Sequence, residues 1–513
     1  MTDETATPRP PVALGVWAMG ALALLLHVVT ANGYGIFRDE LYYIACSKEL
    51  ALGYVDQPPF SIVLLAAWRA IFGESLFALR LPPGLAHAAT AVVFGFIARE
   101  LGAARFGQSL AALLAALLPV YLGTSSFYSM NAFDVLFWAL LIFVLCRIIA
   151  TQNAKLWLLF GVIAGLGVQN KFSVAFLAIA LAAGIVLTMQ WKYLRSPYPY
   201  IGGAIAFLIF LPHVYWMHST DWVTLEFMRN ASSMKNAATN PLKYFLDQLL
   251  MAHPLYLPIW IAGIVYLFRA QSLRAYRIYA VMFVFLFFFF SLTNGKSYYL
   301  APAYSLVLPA GALAIERFAQ RRGAWFRPAA LALAALAGLI IAPMAVPLLS
   351  PEGILRYEQA LGLKPPRDEK GHDAALGQHF ADRFGWKELA ENVAKAYNAL
   401  PESDRAKCAI ICSNYGEAAA IDFFGRELGL PQAIATHNNY WLWGPRNASE
   451  EIIMAVGSIG ADFARRKMFD SGGEVARSVH PLAEQGEIRI YVYRNLKPPD
   501  TIEKLWPLAK NMI

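Results

Sequence analysis

Two adjacent carboxylates, Asp39 and Glu40, follow the first apolar run of the chain. A carboxylate within hydrogen-bond distance of a hydroxyl group can accept its proton, and it can also bind a cation. On a helix, neighbouring side chains point about 100° apart, so the two acids are expected to have different partners. One would act as a base while the other orients a neighbour or binds a cation. The alternative is that Asp39 only caps the helix that follows it.

The same polar segment contains further groups that suit a sugar or a phosphate. It continues through Gly53 to Phe60 and has a high density of charged, amide and aromatic side chains. The candidate substrate ligands from this segment are Arg38, Tyr42, Asp56 and Gln57.

A third acid, Asp134, lies about one turn into a later apolar run, where an acidic side chain is costly and is a candidate for function. Lys171 and Lys296 stand at the ends of other apolar runs, and Tyr298 and Tyr299 follow the second lysine. A phosphate held at the surface of a bilayer needs cationic donors at that depth, and tyrosine hydroxyls could add to them. The alternatives are structural, because Asp134 could cap its own helix and lysines at helix ends often only extend to the interface.

Near the C-terminus, the segment from His437 to Pro445 places a histidine and two asparagines beside three aromatic side chains. The aromatic rings could stack on a sugar, while His437 and Asn438 form hydrogen bonds with its hydroxyls. The same cluster could instead pack the tail against a membrane domain, because Trp and Tyr favour interfaces. No nucleotide-binding motif or nucleophile elbow stands at a strand-to-helix junction, and the histidines lack metal-ligand spacing.

The elements that position these residues are predicted to be membrane helices. Of the 513 residues, 58% are hydrophobic and only 15% are charged, whereas about 25% of the residues of a soluble domain are charged. About eleven runs have the length and composition of a membrane span, which needs roughly 20 apolar residues. They are residues 12–31, 79–98, 107–123, 131–150, 156–170, 172–190, 200–217, 249–268, 277–293, 298–316 and 328–349. The shorter run 60–72 is predicted to lie at the membrane surface.

Lys and Arg predominate in one set of the short loops and are balanced by acids in the other set, which predicts the orientation of the chain. Residues 1–11 form a cytoplasmic tail, residues 12–349 a transmembrane domain with a catalytic first outer loop at 32–78, and residues 350–513 an extracytoplasmic domain. In the last domain, β-type runs at 408–412, 452–456 and 488–493 alternate with helical patterns, which indicates a small α/β fold. The net charge of +8 therefore reflects membrane orientation, and a nucleic-acid partner is excluded.

In their order along the chain, several of these motifs resemble those of a known group of enzymes. They are the acidic pair, the stretch Gly53 to Pro59, the acid Asp134, the loop Gly295 to Tyr304 and the soluble tail. Together they resemble bacterial membrane glycosyltransferases of the GT-C fold, in particular the protein O-mannosyltransferase and aminoarabinose (lipid A) transferase group. The resemblance implies an α-helical polytopic membrane protein of about eleven transmembrane helices with a C-terminal extracytoplasmic α/β domain.

The resemblance also implies a reaction. A sugar would move from a polyprenyl-phosphate-linked donor to an envelope lipid, glycan or protein, on the outer face of the cytoplasmic (inner) membrane and usually with inversion. The family pattern makes Asp39 the general base, Glu40 its neighbour and Asp134 the second acid. Lys171 and Lys296, with Tyr298 and Tyr299, occupy places where relatives present donors to the lipid phosphate.

No cofactor is required by this scheme. A divalent cation, if one takes part, would be held by Asp39, Glu40 and Asp134. The tail signature differs from that of the aminoarabinose transferases, so the acceptor stays open. The rival hypothesis is a transporter or flippase for a lipid-linked sugar, a class that usually carries inverted repeats, and the sequence has no such repeats.

Overall fold

The computed structural model describes residues 9–235, 238–362, 374–446 and 448–513. Most of the predicted cytoplasmic tail, residues 1–11, lies outside the described residues. The chain divides into two compact units. The first, here called the helical unit, comprises Met1–Asn32, Glu74–Trp216 and Asn236–Ser350. The second, the mixed unit, comprises Gly33–Gly73, Met217–Lys235 and Pro351–Ile513.

The helical unit is built from apolar α-helices joined by short turns. Its α-helices are Leu14–Thr30, Leu76–Glu100, Arg105–Ala116, Pro119–Thr124, Met130–Thr151, Leu156–Asn170, Ser173–Leu187, Tyr198–Ser219, Pro241–Met251, Leu257–Arg269, Arg277–Leu292, Tyr304–Ala319 and Phe326–Ala345. Short 3-10 helices are Trp191–Leu194, Pro254–Tyr256, Gln271–Tyr276 and Ser297–Ala303. The chain is thus a multi-pass membrane protein by the length and composition of these helices.

Within the described residues, six helices are long and apolar enough to cross a membrane, and the pair Pro241–Met251 and Pro254–Arg269, bent by 100°, would make a seventh if it is one span. The six are Leu76–Glu100, Met130–Thr151, Tyr198–Ser219, Gln271–Leu292, Ser297–Ala319 and Phe326–Ala345. Shorter apolar helices cover three more predicted spans and the run 60–72. The count of about eleven is therefore not confirmed. The predicted span 107–123 is broken into two helices, the second beginning at Pro119, which lacks a backbone N–H group and suits the first turn of a helix.

Two glycines allow close packing inside the helical unit. Gly263 lies on Leu257–Arg269, and a Cβ atom there would overlap the carbonyl oxygen of Val307 on Tyr304–Ala319. Gly311 on the second helix would overlap the carbonyl oxygen of Ile259 in the same way. Small residues of this kind let the backbones of two helices approach closely. Such packing helps to hold helices together in lipid, where there is no hydrophobic driving force between them.

The mixed unit contains a five-stranded sheet in the order β2-β1-β3-β5-β4. Its strands are β1 (Cys408–Cys412), β2 (Ile434–Ala435), β3 (Ile452–Val456), β4 (Phe469–Val479) and β5 (Glu487–Leu496). Strand β1 pairs in parallel with β2 and β3, and β5 pairs antiparallel with β3 and β4. The three predicted strands and the α/β character are confirmed. Strand β4 was not predicted, because it is a mostly exposed edge strand with two glycines and no alternation of apolar residues.

Helices of the mixed unit come from the first loop as well as from the tail. The α-helices are Arg38–Lys48, Phe60–Phe72, Val223–Asn230, Pro351–Leu361, Gln378–Ala381, Trp386–Asn398, Glu402–Arg405, Tyr415–Phe424, Asn439–Leu442, Ser458–Arg466 and Ile502–Leu505. Shorter turns of 3-10 or π type are Ala231–Lys235, Gly425–Leu428 and Pro507–Ala509. The first loop, assigned above to the transmembrane domain, thus groups with the tail in one compact unit. Polar contacts account for this grouping. For example, the Val55 backbone amide donates a hydrogen bond to Oδ1 of Asn439 at 2.9 Å.

Candidate functional site

The loop helix, Arg38–Lys48, separates the roles of the two adjacent acids. Phe37 is its N-cap residue, and Oε2 of the fully buried Glu40 accepts a hydrogen bond from the Phe37 amide at 2.8 Å. Glu40 therefore caps the helix, the role considered for Asp39 in the sequence. Asp39 points elsewhere, with 36% of its side chain exposed. The catalytic role predicted for Glu40 stays untested, and its observed contact is structural.

One oxygen of Asp39 is held, and the other is accessible. The hydroxyl of Tyr415 donates to Oδ1 of Asp39 at 2.9 Å, and Nε of Arg38 lies 3.8 Å from the same oxygen. Within the described part of the chain, Oδ2 of Asp39 accepts no hydrogen bond. A carboxylate fixed through one oxygen and open at the other has the geometry that a general base requires.

Tyr415 was not predicted as a site residue, although the sequence from Cys408 to Glu417 indicated a strand followed by a helix. It begins the tail helix, Tyr415–Phe424, after the N-cap Asn414, whose Oδ1 accepts hydrogen bonds from two backbone amides of the first turn. The Tyr415 ring is buried, with its centroid 4.5 Å from that of Tyr42 and 4.9 Å from that of His437. Burial raises the pKa of Tyr415 well above its usual value, so the hydroxyl stays a hydrogen-bond donor at neutral pH.

Arg38 is anchored by a residue of the tail that sequence analysis did not identify. Its Nη2 lies 3.3 Å from Oδ2 of Asp382, and its backbone amide donates to the Asp382 carbonyl at 3.0 Å. The guanidinium also lies 5.6 Å from the centroid of the Tyr415 ring, on its face. Because Asp382 is only 1% exposed, this ion pair orients Arg38 and, with it, the first turn of the loop helix.

The predicted ligands Tyr42 and Asp56 form one network with the tail. The Tyr42 hydroxyl donates to Oδ1 of Asp56 at 3.1 Å and accepts a hydrogen bond from the Asn439 amide at 3.3 Å. Next to them, Gln57 is fully buried, and neither atom of its side-chain amide has a hydrogen-bond partner among the described residues. Buried amides of this kind are expected to meet water or a ligand.

His437 and Asn438 lie in the same unit, with different surroundings. Nε2 of His437 forms a 2.7 Å hydrogen bond with the carbonyl oxygen of Ile513, so this nitrogen has a structural partner. Asn438 is 1% exposed, and in the part of the chain that the structure describes its Oδ1 has no hydrogen-bond partner. The Asn438 carbonyl oxygen is thus a buried acceptor with unused hydrogen-bonding capacity.

The helical unit brings together the second acid and the first predicted lysine. Nζ of Lys171 lies 3.5 Å from Oδ2 of Asp134 and donates to Oδ1 of Asn131 at 2.7 Å. The hydroxyl of Ser173 donates to the other oxygen of Asp134. Asp134 is 1% exposed, so its carboxylate is buried with Lys171 as its counter-ion. Removal of either partner would leave an uncompensated charge. Asn131 and Ser173 were not predicted.

The predicted tyrosines surround the same lysine. Nζ of Lys171 lies 5.3 Å from the ring centroid of Tyr298 and 5.8 Å from that of Tyr299, both on the 3-10 helix Ser297–Ala303. Lys296 is the N-cap residue of that helix, and its carbonyl accepts a hydrogen bond from the Tyr244 hydroxyl at 3.3 Å. Lys171 is thus in contact with both predicted tyrosine rings, and the role of these residues in phosphate binding stays a prediction.

The site offers no preformed set of protein ligands for a metal ion. Over the described ranges, no group of three His, Cys, Asp or Glu residues is arranged to hold one. Glu40 is turned into its own helix cap, away from joint use with Asp39. The participation of a divalent cation stays an untested prediction.

Comparisons of the sequence with known proteins identify a matching family model and several relatives. A family model described as dolichyl-phosphate-mannose-protein mannosyltransferase matches residues 56–216. The undecaprenyl phosphate-alpha-4-amino-4-deoxy-L-arabinose arabinosyl transferase of Pseudomonas aeruginosa is 26% identical over an alignment of 379 positions, and the alignment covers 66% of this chain and 67% of that protein. Its counterpart in Pseudomonas paraeruginosa is 25% identical over 226 aligned positions, and the alignment covers 40% of this chain and 41% of the relative.

Two solved structures are similar over nearly the whole chain. ArnT from Cupriavidus metallidurans in the apo state has a TM-score of 0.62 at 14% identity, over 92% of this chain and 97% of that one. ArnT from the same organism bound to undecaprenyl phosphate has a TM-score of 0.61, over 94% and 98% of the two chains. The predicted resemblance to this group and the helical membrane fold with a small C-terminal sheet are confirmed.

Proposed function

We propose that this chain, a GT-C-fold relative of the protein mannosyltransferases and the aminoarabinose transferases, is an integral membrane glycosyltransferase. It moves a sugar from a polyprenyl-phosphate donor to a lipid, glycan or protein acceptor of the cell envelope. In this proposal the protein is a multi-pass protein of the cytoplasmic membrane, and its mixed unit lies on the outer face. The family model, the curated relatives and the ArnT structure bound to undecaprenyl phosphate support this assignment.

The observation that carries the proposal is the arrangement at Asp39. Its Oδ1 is held by the Tyr415 hydroxyl at 2.9 Å, so Oδ2 is presented to an acceptor hydroxyl. In the reaction we propose, Oδ2 takes the acceptor proton as the acceptor oxygen bonds to the anomeric carbon of the sugar. The bond between that carbon and the phosphate oxygen breaks, and its electron pair leaves with the lipid phosphate. A single displacement of this kind inverts the anomeric configuration.

The leaving phosphate gains negative charge and needs cationic and hydrogen-bonding groups. We assign this task to Lys171, Lys296, Tyr298 and Tyr299. Lys171 is paired with Asp134 at 3.5 Å, so Asp134 serves to place the ammonium group and to keep it charged in a buried position. Asp134 is in this sense a positioning residue, while Asp39 is the catalytic one. No divalent cation is needed for either task.

The selectivity of lipid binding tests the proposed phosphate site. Full-length protein in nanodiscs is incubated with equal amounts of undecaprenyl phosphate, undecaprenol and phosphatidylglycerol, and bound lipid is measured by native mass spectrometry. We expect retention of undecaprenyl phosphate over the other two, and about 10-fold less of it in Lys296→Met, because a charge-assisted hydrogen bond contributes about 1.5–3 kcal/mol.

The matched control is Lys155→Met, which removes an exposed lysine at the start of another apolar helix and should retain the lipid fully. Equal retention of undecaprenol and undecaprenyl phosphate would contradict a phosphate-binding role. Equal loss in the two lysine variants would show a general effect of surface charge.

A further inference from the structure

A cavity of about 330 Å³ lies inside the mixed unit, at the C-terminal ends of the loop helix and the tail helix. This volume is within the roughly 300–1,000 Å³ of small-molecule sites. Its lining includes Lys48, Glu49, Asp422, Arg426, Trp443 and Arg446. Of these residues, only Trp443 belongs to a segment selected from the sequence, His437 to Pro445, and the reaction proposed above uses none of them.

The charged groups of the cavity favour an anion. Lys48, Arg426 and Arg446 face the two acids Glu49 and Asp422. Both oxygens of Asp422 already accept hydrogen bonds at 2.8 Å, one from the Ala433 amide and one from the Tyr440 hydroxyl. The lining therefore has three cationic residues and two acidic ones, a net positive charge.

The two arginines differ in how far they are engaged. Arg446 donates to Oε1 of Gln432 at 2.5 Å and lies 3.9 Å from Oε1 of Glu49. The guanidinium of Arg426 is exposed and makes no ion pair or hydrogen bond with any residue that the structure describes. Its planar set of N–H donors suits a phosphate or a carboxylate, which it can bind through two parallel hydrogen bonds.

The remaining walls suit the carbon-bound face of a sugar. Trp443 is half-buried and is held by an edge-to-face contact with Tyr440, with ring centroids 4.7 Å apart. Leu430 and Pro431 add apolar surface, and Gln432 and Glu49 add groups that can bond to hydroxyls. A rigid aromatic ring beside a few polar groups is typical of sites for ligands that are apolar on one side and polar on the other.

The position of the cavity relative to Asp39 follows from the two helices. Asp39 and Tyr415 stand at the N-terminal ends of the loop helix and the tail helix and are joined by a hydrogen bond, whereas Ala45 and Ile421 both line the cavity. The helices pack against each other. They run in the same direction, because their N-terminal ends are joined by this hydrogen bond and their C-terminal halves line the same cavity. At 1.5 Å per residue, the cavity begins about 9 Å from Asp39 along the helix axis at Ala45 and reaches about 14 Å at Lys48. The donor phosphate is bonded to the reacting sugar and cannot be so far from the base.

We propose that this cavity is an accessory subsite for an anionic sugar residue, bearing a phosphate or a carboxylate, of the acceptor glycan. Arg426 and Arg446 bind the anionic group, and Trp443 packs against the ring. The inference rests on the proposed function, because it assigns the ligand to the acceptor. It names the acceptor as a saccharide that extends one or more sugar units beyond the hydroxyl that reacts.

The test measures binding separately from transfer. Saturation-transfer NMR on full-length protein in nanodiscs is used with glucose 6-phosphate, glucuronate and glucose as probes, and binding of inorganic phosphate is measured by its competition with them. We expect the two anionic sugars to bind at least 10-fold more tightly than glucose or inorganic phosphate, and Arg426→Gln to weaken them about 10-fold. Arg466→Gln, which removes an exposed arginine outside the cavity, is the matched control and should leave binding unchanged.

The outcomes separate the possible ligands. Binding of only one anionic sugar would support the subsite and identify its group as phosphate or carboxylate. Inorganic phosphate that binds as tightly as the sugars, or probes that bind equally to Arg426→Gln, would overturn it. In the transfer assay, Arg426→Gln should raise the acceptor KM about 10-fold at unchanged kcat and donor KM, and an unchanged acceptor KM would also overturn it. If the protein binds the probes but transfers no sugar, the proposed function has failed and not the binding site.

Discussion

Replacing Asp39 by Asn is expected to lower the rate of sugar transfer by about 1,000-fold, within the range of roughly 10²–10⁴ for removal of a general base. The amide has the size of the carboxylate and can still accept the hydrogen bond from the Tyr415 hydroxyl, but it cannot take a proton from the acceptor. Initial rates are measured with purified protein in nanodiscs and a polyprenyl-phosphate-linked sugar. Retention of undecaprenyl phosphate should equal that of the wild type.

A second variant, Tyr415→Phe, tests the same site with a smaller change. It removes only the hydroxyl that orients Asp39 and keeps the buried ring, so we expect a loss of rate of about 10-fold. The same initial-rate assay measures this loss. Asp39→Asn with more than a tenth of wild-type activity would contradict the assignment of the base.

Asp134→Asn is expected to destabilise the helical unit by about 3–5 kcal/mol, because it leaves the buried ammonium of Lys171 without its counter-charge. Lys171 retains the hydrogen bond to Asn131, but an amide oxygen does not neutralise it. Stability is measured by the loss of helical signal on titration of the detergent-solubilised protein with a denaturing detergent. Retention of undecaprenyl phosphate should decrease together with the stability of the helical unit.

The double variant Asp134→Asn, Lys171→Met separates structure from function. Removing both charges should restore most of the lost stability, since the unpaired ion is gone, while retention of undecaprenyl phosphate stays low. A double variant that is no more stable than Asp134→Asn would show that the ion pair is not the reason for the effect. A double variant with full lipid retention would remove Lys171 from the phosphate site.

Local patterns in the sequence predicted most of the apolar helices and three of the five strands. Apolar runs predict membrane helices because lipid leaves no other partner for the backbone, and three strands of the mixed unit follow from short β-type runs. Asp134, Lys171, Tyr298 and Tyr299 were each selected from the sequence, but their contacts with one another are seen only in the structure.

What the sequence could not predict depends on contacts between distant residues. Tyr415 is 376 positions from Asp39, and nothing in its own segment indicates that its hydroxyl bonds to that carboxylate. Asp382 and Asn439 likewise act through long-range contacts with the loop helix. The number of spans was uncertain for a different reason, since hydropathy does not detect a helix that breaks within an apolar run, as residues 105–124 do at Leu117 and Leu118.

Sugar transfer distinguishes a glycosyltransferase from a protein that only binds or moves a lipid-linked sugar. Transfer is measured with purified full-length protein in nanodiscs and a radiolabelled polyprenyl-phosphate-linked sugar, with and without an acceptor fraction from the cell envelope. We expect free polyprenyl phosphate to appear only when acceptor is present, in equal amount to the labelled sugar found on the acceptor. A donor that stays intact with every lipid, glycan and protein fraction, while the protein still retains it, would contradict sugar transfer and favour a transporter.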